Sequence, residues 1–201
     1  MVMHLLLGTN NAGKVIEISE ALHGLPILLY TPQHLSITDI PPETGDTFEE
    51  NALQKARFYF EQAGIPTVAD DSGIIVEVLQ DELGLHTRRW GAGPSASDEE
   101  WIAHFLKRMK KEKNKRARFV CVLAHIDAEG KPHVFEGTCE GTVTANMEAD
   151  FLPGLPISAC FRPDGYELVF SALTPEQKNR TSHRGRASAK LRKHLDKLLR
   201  N

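Results

Sequence analysis

Short apolar runs alternate with amphipathic stretches along the chain, a pattern typical of α/β proteins. The first apolar run predicts a buried strand over residues 2–7, and a turn over 8–13 then leads into a helix over 14–23. Residues 73–79 fit either a further strand or a short helix. The other predicted elements are a helix over 47–63, a short strand over 67–69, a helix over 97–111, strands over 119–127 and 131–136, a paired segment over 142–146, a short helix that opens at Thr174 and Pro175, and a final amphipathic helix over 187–199.

Two of these helices begin at a capping box. Thr47 is followed three residues later by Glu50, and Ser97 is followed by Glu100. In this motif the hydroxyl accepts a hydrogen bond from the third backbone N–H of the helix, while the acidic side chain reaches back to the cap. The glycine-containing segment 128–130 predicts a hairpin between the two strands that flank it.

The composition predicts one globular domain. The chain has 201 residues, of which 41% are hydrophobic and 25% are charged, and this length suits one domain or two small lobes that share a cleft. With 24 basic and 27 acidic residues, the net charge of −3 does not favour nucleic acid as a partner. The basic stretch 107–118 lies at a predicted helix C-terminus, where the dipole favours cations, and it lacks aromatic residues. We therefore expect no stable nucleic-acid partner.

Three observations predict a cytoplasmic protein. Cys121, Cys139 and Cys160 are an odd number of widely spaced cysteines, which indicates neither a disulfide framework nor a zinc site. No apolar run reaches the ~18 residues that a membrane-spanning helix needs. Residues 1–8 lack the basic region and the cleavage site of a secretory signal. We expect a reducing compartment and no membrane partner.

The segment from Gly8 to Lys14 is the first candidate site. It joins a predicted strand to a predicted helix, and its spacing is nearly that of a P-loop. Val15 follows the lysine, however, so the hydroxyl that holds magnesium in a P-loop is missing. The helix N-terminus, the asparagine side chains and Lys14 could still receive a phosphate. A helix cap beside an exposed lysine explains the same residues equally well.

Two adjacent carboxylates, Asp70 and Asp71, form the second candidate site together with Ser72 and Gly73. They follow a short predicted strand, and open α/β sheets bind ligands at the carboxyl ends of their strands. Consecutive strand residues face opposite ways, so we expect only one carboxylate to face a shared cleft. Carboxylate oxygens suit a hard cation that also takes phosphate oxygens. A surface turn, in which aspartate, serine and glycine are common, is the competing interpretation.

A third group of polar residues surrounds the start of the helix over 47–63. Glu43 lies in the preceding loop and is free to reach a metal, whereas Glu50 is expected to complete the capping box. Lys55 faces either the sheet or water, and an isolated helix lysine is usually solvated.

The fourth candidate is Lys178 with the run from Ser182 to Gly185, where His183 and Arg184 precede a predicted helix. These two side chains offer a hydrogen-bonding ring and a cation to a polyanion or to a base. A structural histidine is the competing interpretation. The sequence contains no H-E-x-x-H, G-x-S-x-G or C-x-x-C motif.

Taken in chain order, these motifs resemble the inosine triphosphate pyrophosphatase family, also called Ham1-like or non-canonical purine nucleotide pyrophosphatases. The family patterns T-x-N-x-x-K, E-T-G-x-T-F-x-E-N-A-x-x-K-A and A-D-D-S-G correspond to residues 9–14, 43–56 and 69–73. S-A-R-Y is similar to residues 87–90, A-R-F-x-C-V-L to 117–123 and S-H-R-G to 182–185. The agreement extends from residue 9 to residue 185 at family-like spacing.

The resemblance implies a Mg2+-dependent enzyme that cleaves the bond between the α- and β-phosphates of deaminated purine nucleotides such as ITP, dITP and XTP, with release of a monophosphate and pyrophosphate. It also implies a long twisted mixed sheet with flanking helices, two lobes around a central cleft, and a homodimer. Asp71 would be the catalytic residue, and Glu43 and Asp71 would hold the metal. The residues that would contact substrate are Thr9, Asn10, Asn11, Lys14, Lys55, Ser72, Lys178, His183 and Arg184, the last two at the nucleotide end.

One segment departs from the family. Where the family has G-G-F-G-Y-D-P, with a phenylalanine that stacks on the base and an aspartate that reads its edge, this chain has residues 153–159. Leu155 replaces the aromatic ring and Ser158 replaces the carboxylate. Because Leu155 has no π face and Ser158 carries no charge, we expect weaker or shifted base selectivity.

Three other functions fit parts of the same pattern. The first is a house-cleaning pyrophosphatase for a different nucleotide, such as a modified pyrimidine. The second is a non-catalytic nucleotide-binding protein, against which the combination of Glu43, Asp71 and Lys55 argues. The third is a P-loop kinase, which Val15 and the lack of a transfer motif disfavour.

Overall fold

A mixed six-stranded sheet forms the centre of the protein, for which a computed structural model describes residues 2–79, 83–85, 91–93 and 95–200. The strands are β1 (Met3–Leu7), β2 (Ile27–Tyr30), β3 (Thr67–Val76), β4 (Arg116–Ile126), β5 (Pro132–Val143) and β6 (Phe161–Pro163). Their order in the sheet is β2-β1-β3-β4-β5-β6. β1 runs parallel to β2 and β3, whereas each neighbouring pair from β3 to β6 is antiparallel. The expected mixed sheet is therefore confirmed.

Five α-helices flank the sheet in the part of the chain that the structure describes. They are α1 (Ala12–Leu22), α2 (Phe48–Ala63), α3 (Asp98–Met109), α4 (Pro175–Thr181) and α5 (His183–Arg200). Both predicted capping boxes are present, because Thr47 Oγ1 accepts a hydrogen bond from Glu50 N and Ser97 Oγ accepts one from Glu100 N, each at 3.1 Å. The predicted hairpin at 128–130 joins β4 to β5. Local capping and turn signals thus located these elements correctly.

The strand predicted over 67–69 does not end before the two aspartates, because β3 continues to Val76. Asp70 and Asp71 therefore lie inside a strand, neither at its end nor in a surface turn. Aspartate, serine and glycine favour turns, but here the backbone of 70–73 pairs with β4 and both carboxylates face cations. Of the two options for residues 73–79, the strand is correct as far as Val76, and a 3-10 turn over 77–79 follows.

Two strands carry no signal in the apolar pattern, and one is longer than its pattern indicates. β2 and β6 are short edge strands whose pairing partners are distant in sequence, so a local window cannot identify them. β5 joins the predicted segments 131–136 and 142–146 into one strand of 12 residues. Most of β5 pairs with β4, and only residues 141–143 also pair with β6.

β1 is shorter than β3, and this difference creates space for a site. β1 pairs with β3 only at Leu6 with Thr67 and at Leu7 with Val68. The rest of β3 extends beyond the end of β1. The loop that connects β1 to α1 therefore lies beside the two aspartates of β3.

The apolar core has three parts. On one face of the sheet, α1 and α5 pack on β1 and β4, with Leu5 and Leu191 fully buried. On the other face, α2 covers β3 and β4 through small residues, among them Ala52 and Ala56. The third part surrounds α3 and β6 and is rich in aromatic residues, including fully buried Phe105. A cavity lined both by this third part and by residues of α1, α4 and α5 agrees with the two lobes expected around a central cleft.

The three cysteines lie in the interior of the fold. Cys121, Cys139 and Cys160 are all buried and free, so no disulfide framework joins the described residues. Burial raises the pKa of Cys121 and Cys160 to about 12 and that of Cys139 to about 11. Among the described residues, no helix is long and apolar enough to cross a membrane.

Three histidines meet where β4, β5 and α5 pack together. His125 lies opposite His133 in the β4–β5 register, and its Nδ1 lies 3.3 Å from His194 Nε2 on α5. His133 is held by Asp127, with 2.7 Å between Nε2 and Oδ2. Burial, helped by the neighbouring histidines, lowers the pKa of His125 to about 4. The fold therefore holds His125 neutral at neutral pH.

This buried histidine predicts a loss of stability in weak acid. An unfolded histidine has a pKa of about 6.5, so between pH 6.5 and about 4 the unfolded chain binds a proton that folded His125 does not bind. The free energy of unfolding should therefore fall as the pH falls, by roughly 2 kcal/mol between pH 7.5 and pH 5 from this group. Urea unfolding at the two pH values measures it. His125→Gln should reduce the difference, whereas His23→Gln, at an exposed position, should leave it unchanged; equal differences in all three proteins would contradict the assignment.

Candidate active site

A cavity of about 380 Å³ collects most of the predicted site residues. Those that line it are Asn11, Lys14, Glu43, Asp71, Ser72, Lys178, His183 and Arg184. Lys55 is not part of the lining, but it bonds to two of these residues. Thr9 and Asn10 belong to the same loop as Asn11 and lie outside the lining. The similar stretch over residues 87–90 lies outside the described residues.

The ammonium group of Lys55 lies between two carboxylates that are distant in sequence. Its Nζ is 3.0 Å from Glu43 Oε1 and 2.9 Å from Asp71 Oδ1. The Lys55 residue is only 8% exposed, so it faces the sheet rather than water. Asn51 Nδ2 donates to the second oxygen of Asp71 at 3.2 Å. Glu43 and Asp71 therefore converge on one cation position.

Helix α2 and its preceding loop are built to hold this arrangement. Asn51 and Lys55 are four residues apart, so they lie on the same buried face of α2. The loop that carries Glu43 is tied to that helix, because Gly45 N donates to Asn51 Oδ1 at 2.8 Å and Thr44 N donates to the Gln54 side chain at 3.1 Å. The glycine is required there, since a Cβ at Gly45 would lie 2.6 Å from Glu50 Cβ.

The electrostatic environments of Lys55 and Asp71 differ. Burial opposes the charge of Lys55, but the carboxylates of Asp70, Asp71 and Glu43 outweigh it and raise the pKa of Lys55 above its usual value. For Asp71, burial outweighs the attraction of Lys55 and Lys14, and the pKa of Asp71 is raised. Asp71 is thus a carboxylate whose charge the protein alone does not fully stabilise, and a further cation would stabilise it.

Asp70 has the opposite character. It projects from the other face of β3, where Lys14 Nζ lies 2.8 Å and Arg184 Nη2 3.8 Å from Oδ2. Although Asp70 is fully buried, these cations hold its pKa well below the usual range. Ser72 Oγ also donates to it at 3.2 Å. As expected for adjacent strand residues, only Asp71 of the two lines the cavity.

The loop between β1 and α1 holds its shape through its own asparagine. Asn11 Oδ1 accepts from Lys14 N at 3.1 Å and so caps α1, while Asn11 Nδ2 donates to Gly154 O at 3.1 Å. Thr9 Oγ1 accepts from Asn11 N at 3.2 Å, and Asn10 is exposed. A Cβ at Gly13 would lie 2.8 Å from Leu155 Cδ1. This glycine therefore permits close packing of the loop against residues 153–159, which differ from the family pattern and are called the departing segment below.

A second buried network, built around Glu17, was not evident from the sequence. Lys178 Nζ lies 2.5 Å from Glu17 Oε1, and Arg184 Nη1 pairs with Glu17 Oε2. Arg184 Nη2 also donates to Ser72 Oγ at 3.1 Å. Burial disfavours the charge of Glu17, but the two cations outweigh it and lower its pKa. The only feature of the sequence that could have indicated Glu17 is its position three residues after Lys14, which places both side chains on the same face of α1.

Aromatic rings line the rest of the cavity. His183 stacks on Phe119, with ring centroids 4.5 Å apart and an interplanar angle of 15°. The Phe170 ring is also nearly parallel to the His183 ring, with 6.0 Å between their centroids and an interplanar angle of 21°. Burial, together with Arg184, lowers the pKa of His183 well below its usual value, so the ring is neutral. The expected nucleotide end is therefore a stacked, uncharged surface beside the Arg184 guanidinium.

The departing segment also borders this aromatic surface. Leu155 and Ser158 both line the cavity. Ser158 Oγ donates to Leu155 O at 2.6 Å, so its hydrogen is used within its own turn. The replacement of a carboxylate by Ser158 thus leaves this segment without a charged group toward the cavity.

The donor set suits a divalent cation that keeps other ligands. Within the described ranges, no three histidine, cysteine, aspartate or glutamate side chains form a complete metal site. Glu43 and Asp71 already share one cation, the Lys55 ammonium, at hydrogen-bond distance. Two carboxylates that leave room for water and phosphate oxygens are typical of Mg2+ sites at phosphates.

Comparisons with known proteins show which proteins this chain resembles in sequence and in fold. A model of the Ham1 family matches residues 5–194. The dITP/XTP pyrophosphatase of Leptospira interrogans is 40% identical over 195 residues, which cover 97% of this chain and 98% of that protein. The dITP/XTP pyrophosphatase of Methylococcus capsulatus is 39% identical, with 95% of each chain covered. A HAM1 protein from Coxiella burnetii has a similar structure, with a TM-score of 0.83, 31% identity, and 98% of this chain and 100% of that chain covered.

The contrast between the two aspartates gives a stability prediction. Asp70→Asn leaves partly buried Lys14 without its carboxylate and removes one of the two carboxylates near buried Arg184, so it should lower the free energy of unfolding by about 3 kcal/mol. Asp71→Asn removes a charge that burial disfavours, so we expect a smaller loss. Urea unfolding at neutral pH without divalent ions measures both. Equal losses in the two variants would show that the two carboxylates are not held in different environments.

Proposed function

The chain belongs to the Ham1 family, and we propose that it is a nucleoside triphosphate pyrophosphatase that acts on deaminated purine nucleotides such as ITP, dITP and XTP. It would cleave the bond between the α- and β-phosphates and release a monophosphate and pyrophosphate. The observation that carries this proposal is the convergence of Glu43 and Asp71 on one cation position beside a cavity lined by further cations. The similarity to the dITP/XTP pyrophosphatases of Leptospira interrogans and Methylococcus capsulatus supports the same reaction.

A divalent ion, which we take to be Mg2+, would be held by Glu43 and Asp71. Their fit is supported by the Lys55 ammonium, a cation that already donates hydrogen bonds to the same two carboxylates. When bound, such an ion neutralises phosphate charge and lowers the pKa of water. Lys55, which lies between the same two carboxylates, is close enough to this position to contact a phosphate of the substrate.

The residues around this position divide the remaining tasks. Asp71 would orient and polarise the attacking water, and the hydrogen bond from Asn51 to its second oxygen would hold its orientation. Lys14 and Lys55 would stabilise charge that develops on the phosphates, with Lys178 at the same cavity. The start of α1, with Thr9, Asn10 and the backbone of Asn11, would receive phosphate oxygens at a helix N-terminus. Ser72 would contact substrate.

The charges of the site balance before any ligand binds. The four cations are Lys14, Lys55, Lys178 and Arg184, and the four carboxylates are Glu17, Glu43, Asp70 and Asp71. A metal ion and a polyphosphate together bring charges of both signs, so they can replace existing pairs without leaving a buried charge unpaired. This exchange favours joint binding of metal and nucleotide over binding of either alone.

A house-cleaning pyrophosphatase for another modified nucleotide is the second candidate. It is favoured by Leu155 and Ser158, which offer the base neither a π face nor a charge. The two candidates share the same bond cleavage and differ in the base. A panel of ITP, dITP, XTP, the standard triphosphates and modified pyrimidine triphosphates, with separate detection of pyrophosphate and orthophosphate, distinguishes them.

Several further properties belong to the same proposal. We propose a single domain over residues 1–201, a homodimer and a cytoplasmic location, without a stable nucleic-acid partner. The homodimer is supported by the family resemblance alone, and the location by the three free cysteines. The absence of a nucleic-acid partner is supported by the net charge of −3.

The proposed reaction makes a direct prediction for Asp71. Asp71→Asn keeps the size of the side chain but loses its charge, so pyrophosphate release from dITP in the presence of Mg2+ should fall roughly 100-fold or more. Asp39→Asn, at an exposed position outside the cavity, is the matched control and should retain full activity. Pyrophosphate release at the wild-type rate by Asp71→Asn would contradict the assignment.

The proposed exchange of cations makes a second prediction, for metal binding without nucleotide. Lys55→Met removes the ammonium that occupies the cation position, so Mn2+ should bind at least about tenfold more tightly. Lys178→Met removes a cation of the same cavity that pairs with Glu17 instead and should change the affinity much less. Calorimetric titration with Mn2+ measures both. Similar changes in the two variants would indicate a general charge effect rather than an occupied position.

A further inference from the structure

Three residues that line the cavity each carry a buried nitrogen atom that has no hydrogen-bond partner within the described part of the chain. These atoms are Trp101 Nε1, His183 Nδ1 and Arg184 Nε. A buried polar atom without a partner destabilises the folded protein, so native proteins seldom retain one without a reason. Their presence at a single cavity indicates that a ligand with polar atoms completes them.

Trp101 differs from the other two, because no motif of the sequence pointed to it. Its side chain comes from α3 and is 1% exposed. The indole ring stacks on Phe105, with centroids 5.4 Å apart and an angle of 15°, so its orientation is fixed. One turn earlier on the same helix, Asp98 Oδ2 accepts from Gly154 N at 2.5 Å. α3 therefore joins the indole to the departing segment.

That departing segment has few polar groups left for a base. The backbone N–H and carbonyl of Gly154 are bonded to Asp98 and Asn11, respectively. The hydroxyl hydrogen of Ser158 is donated to Leu155 O. The segment therefore offers the cavity mainly apolar atoms, and the polar recognition of a base must come from other elements.

We propose that the Trp101 indole N–H is a specificity-determining donor that binds a carbonyl oxygen of the substrate's base. This inference rests on the proposed function, because it assigns a base-reading residue to the same cavity. An indole N–H is donor only, so its polarity cannot be reversed by a proton shift or a side-chain flip. A carbonyl oxygen satisfies it, whereas an exocyclic amino group at that position would place two donors together and leave both unpaired.

The fixed polarity of Trp101 separates it from its neighbours. Neutral His183 can either donate or accept at Nδ1, depending on its tautomer. Arg184 already pairs with Glu17 and donates to Ser72, so its position at the cavity is also explained by these structural contacts. Because the Trp101 indole can only donate, it distinguishes a base with a carbonyl group from a base with an amino group. Ser158 cannot do so, since its hydroxyl hydrogen is donated to Leu155 O.

Binding of monophosphates tests the inference without requiring hydrolysis. IMP and AMP differ in the group at position 6 of the purine, which is a carbonyl in IMP and an amino group in AMP. In Trp101→Phe, which keeps an aromatic ring against Phe105, the ratio of IMP affinity to AMP affinity should fall about tenfold, the effect of one net hydrogen bond. Phe105→Leu is the packing control and should change both affinities by a similar factor. Isothermal titration calorimetry measures all three proteins.

The wild-type protein offers a second measurement that requires no variant of Trp101 or Phe105. The chain has two tryptophans, so a 15N-labelled sample has two indole N–H resonances, which Trp90→Phe assigns. IMP should shift the Trp101 resonance downfield and slow its exchange with water, and AMP should not. An unchanged Trp101 resonance with IMP, or an IMP-to-AMP affinity ratio equal in wild type and Trp101→Phe, would overturn the inference. Failure of the proposed function is separate, since it is a lack of pyrophosphate release from any triphosphate.

Discussion

The structure of the site depends on one constraint, which is that two carboxylates from distant parts of the chain must share a single buried cation. Glu43 lies 12 residues and Asp71 16 residues from Lys55 in sequence, yet all three meet within hydrogen-bond distance. In a buried environment an unpaired charge is far more costly than an exposed one. The positions of α2, of its preceding loop and of β3 are therefore coupled, and a displacement of any one of them would leave a buried charge unpaired.

β3 carries two different roles on its two faces. Asp70 faces α1 and α5, where Lys14 and Arg184 stabilise its charge and make it a structural anchor. Asp71 faces α2 and the cavity, and burial raises its pKa even beside Lys55. The alternation of side chains along a strand thus places a stable carboxylate next to one that gains from an additional cation. Stability and reactivity are divided between adjacent residues.

The sequence predicted those features that depend on local chemistry. Thr47 and Ser97 begin their helices as their capping boxes require, because each box involves residues only three positions apart. The end of β3 was wrongly predicted, since turn-forming residues such as Asp70 were stabilised in a strand by cations from other elements. Glu17 and Trp101 could not be recognised from local sequence for the same reason. The two cations that pair with Glu17, and the missing hydrogen-bond partner of the Trp101 indole N–H, are evident only once α1, α3, α4 and α5 are packed together.

The family resemblance located most of the candidate site, while its geometry came from the fold alone. Whether Lys55 faces the sheet could not be decided from sequence, and the proposed metal position between Glu43 and Asp71 depends on that orientation. Anomalous diffraction from crystals soaked in Mn2+ tests that point most directly. We expect a manganese peak within about 2.5 Å of carboxylate oxygens of both Glu43 and Asp71, with Lys55 Nζ moved away from at least one of them. A peak elsewhere, with Lys55 still bridging both carboxylates, would contradict it.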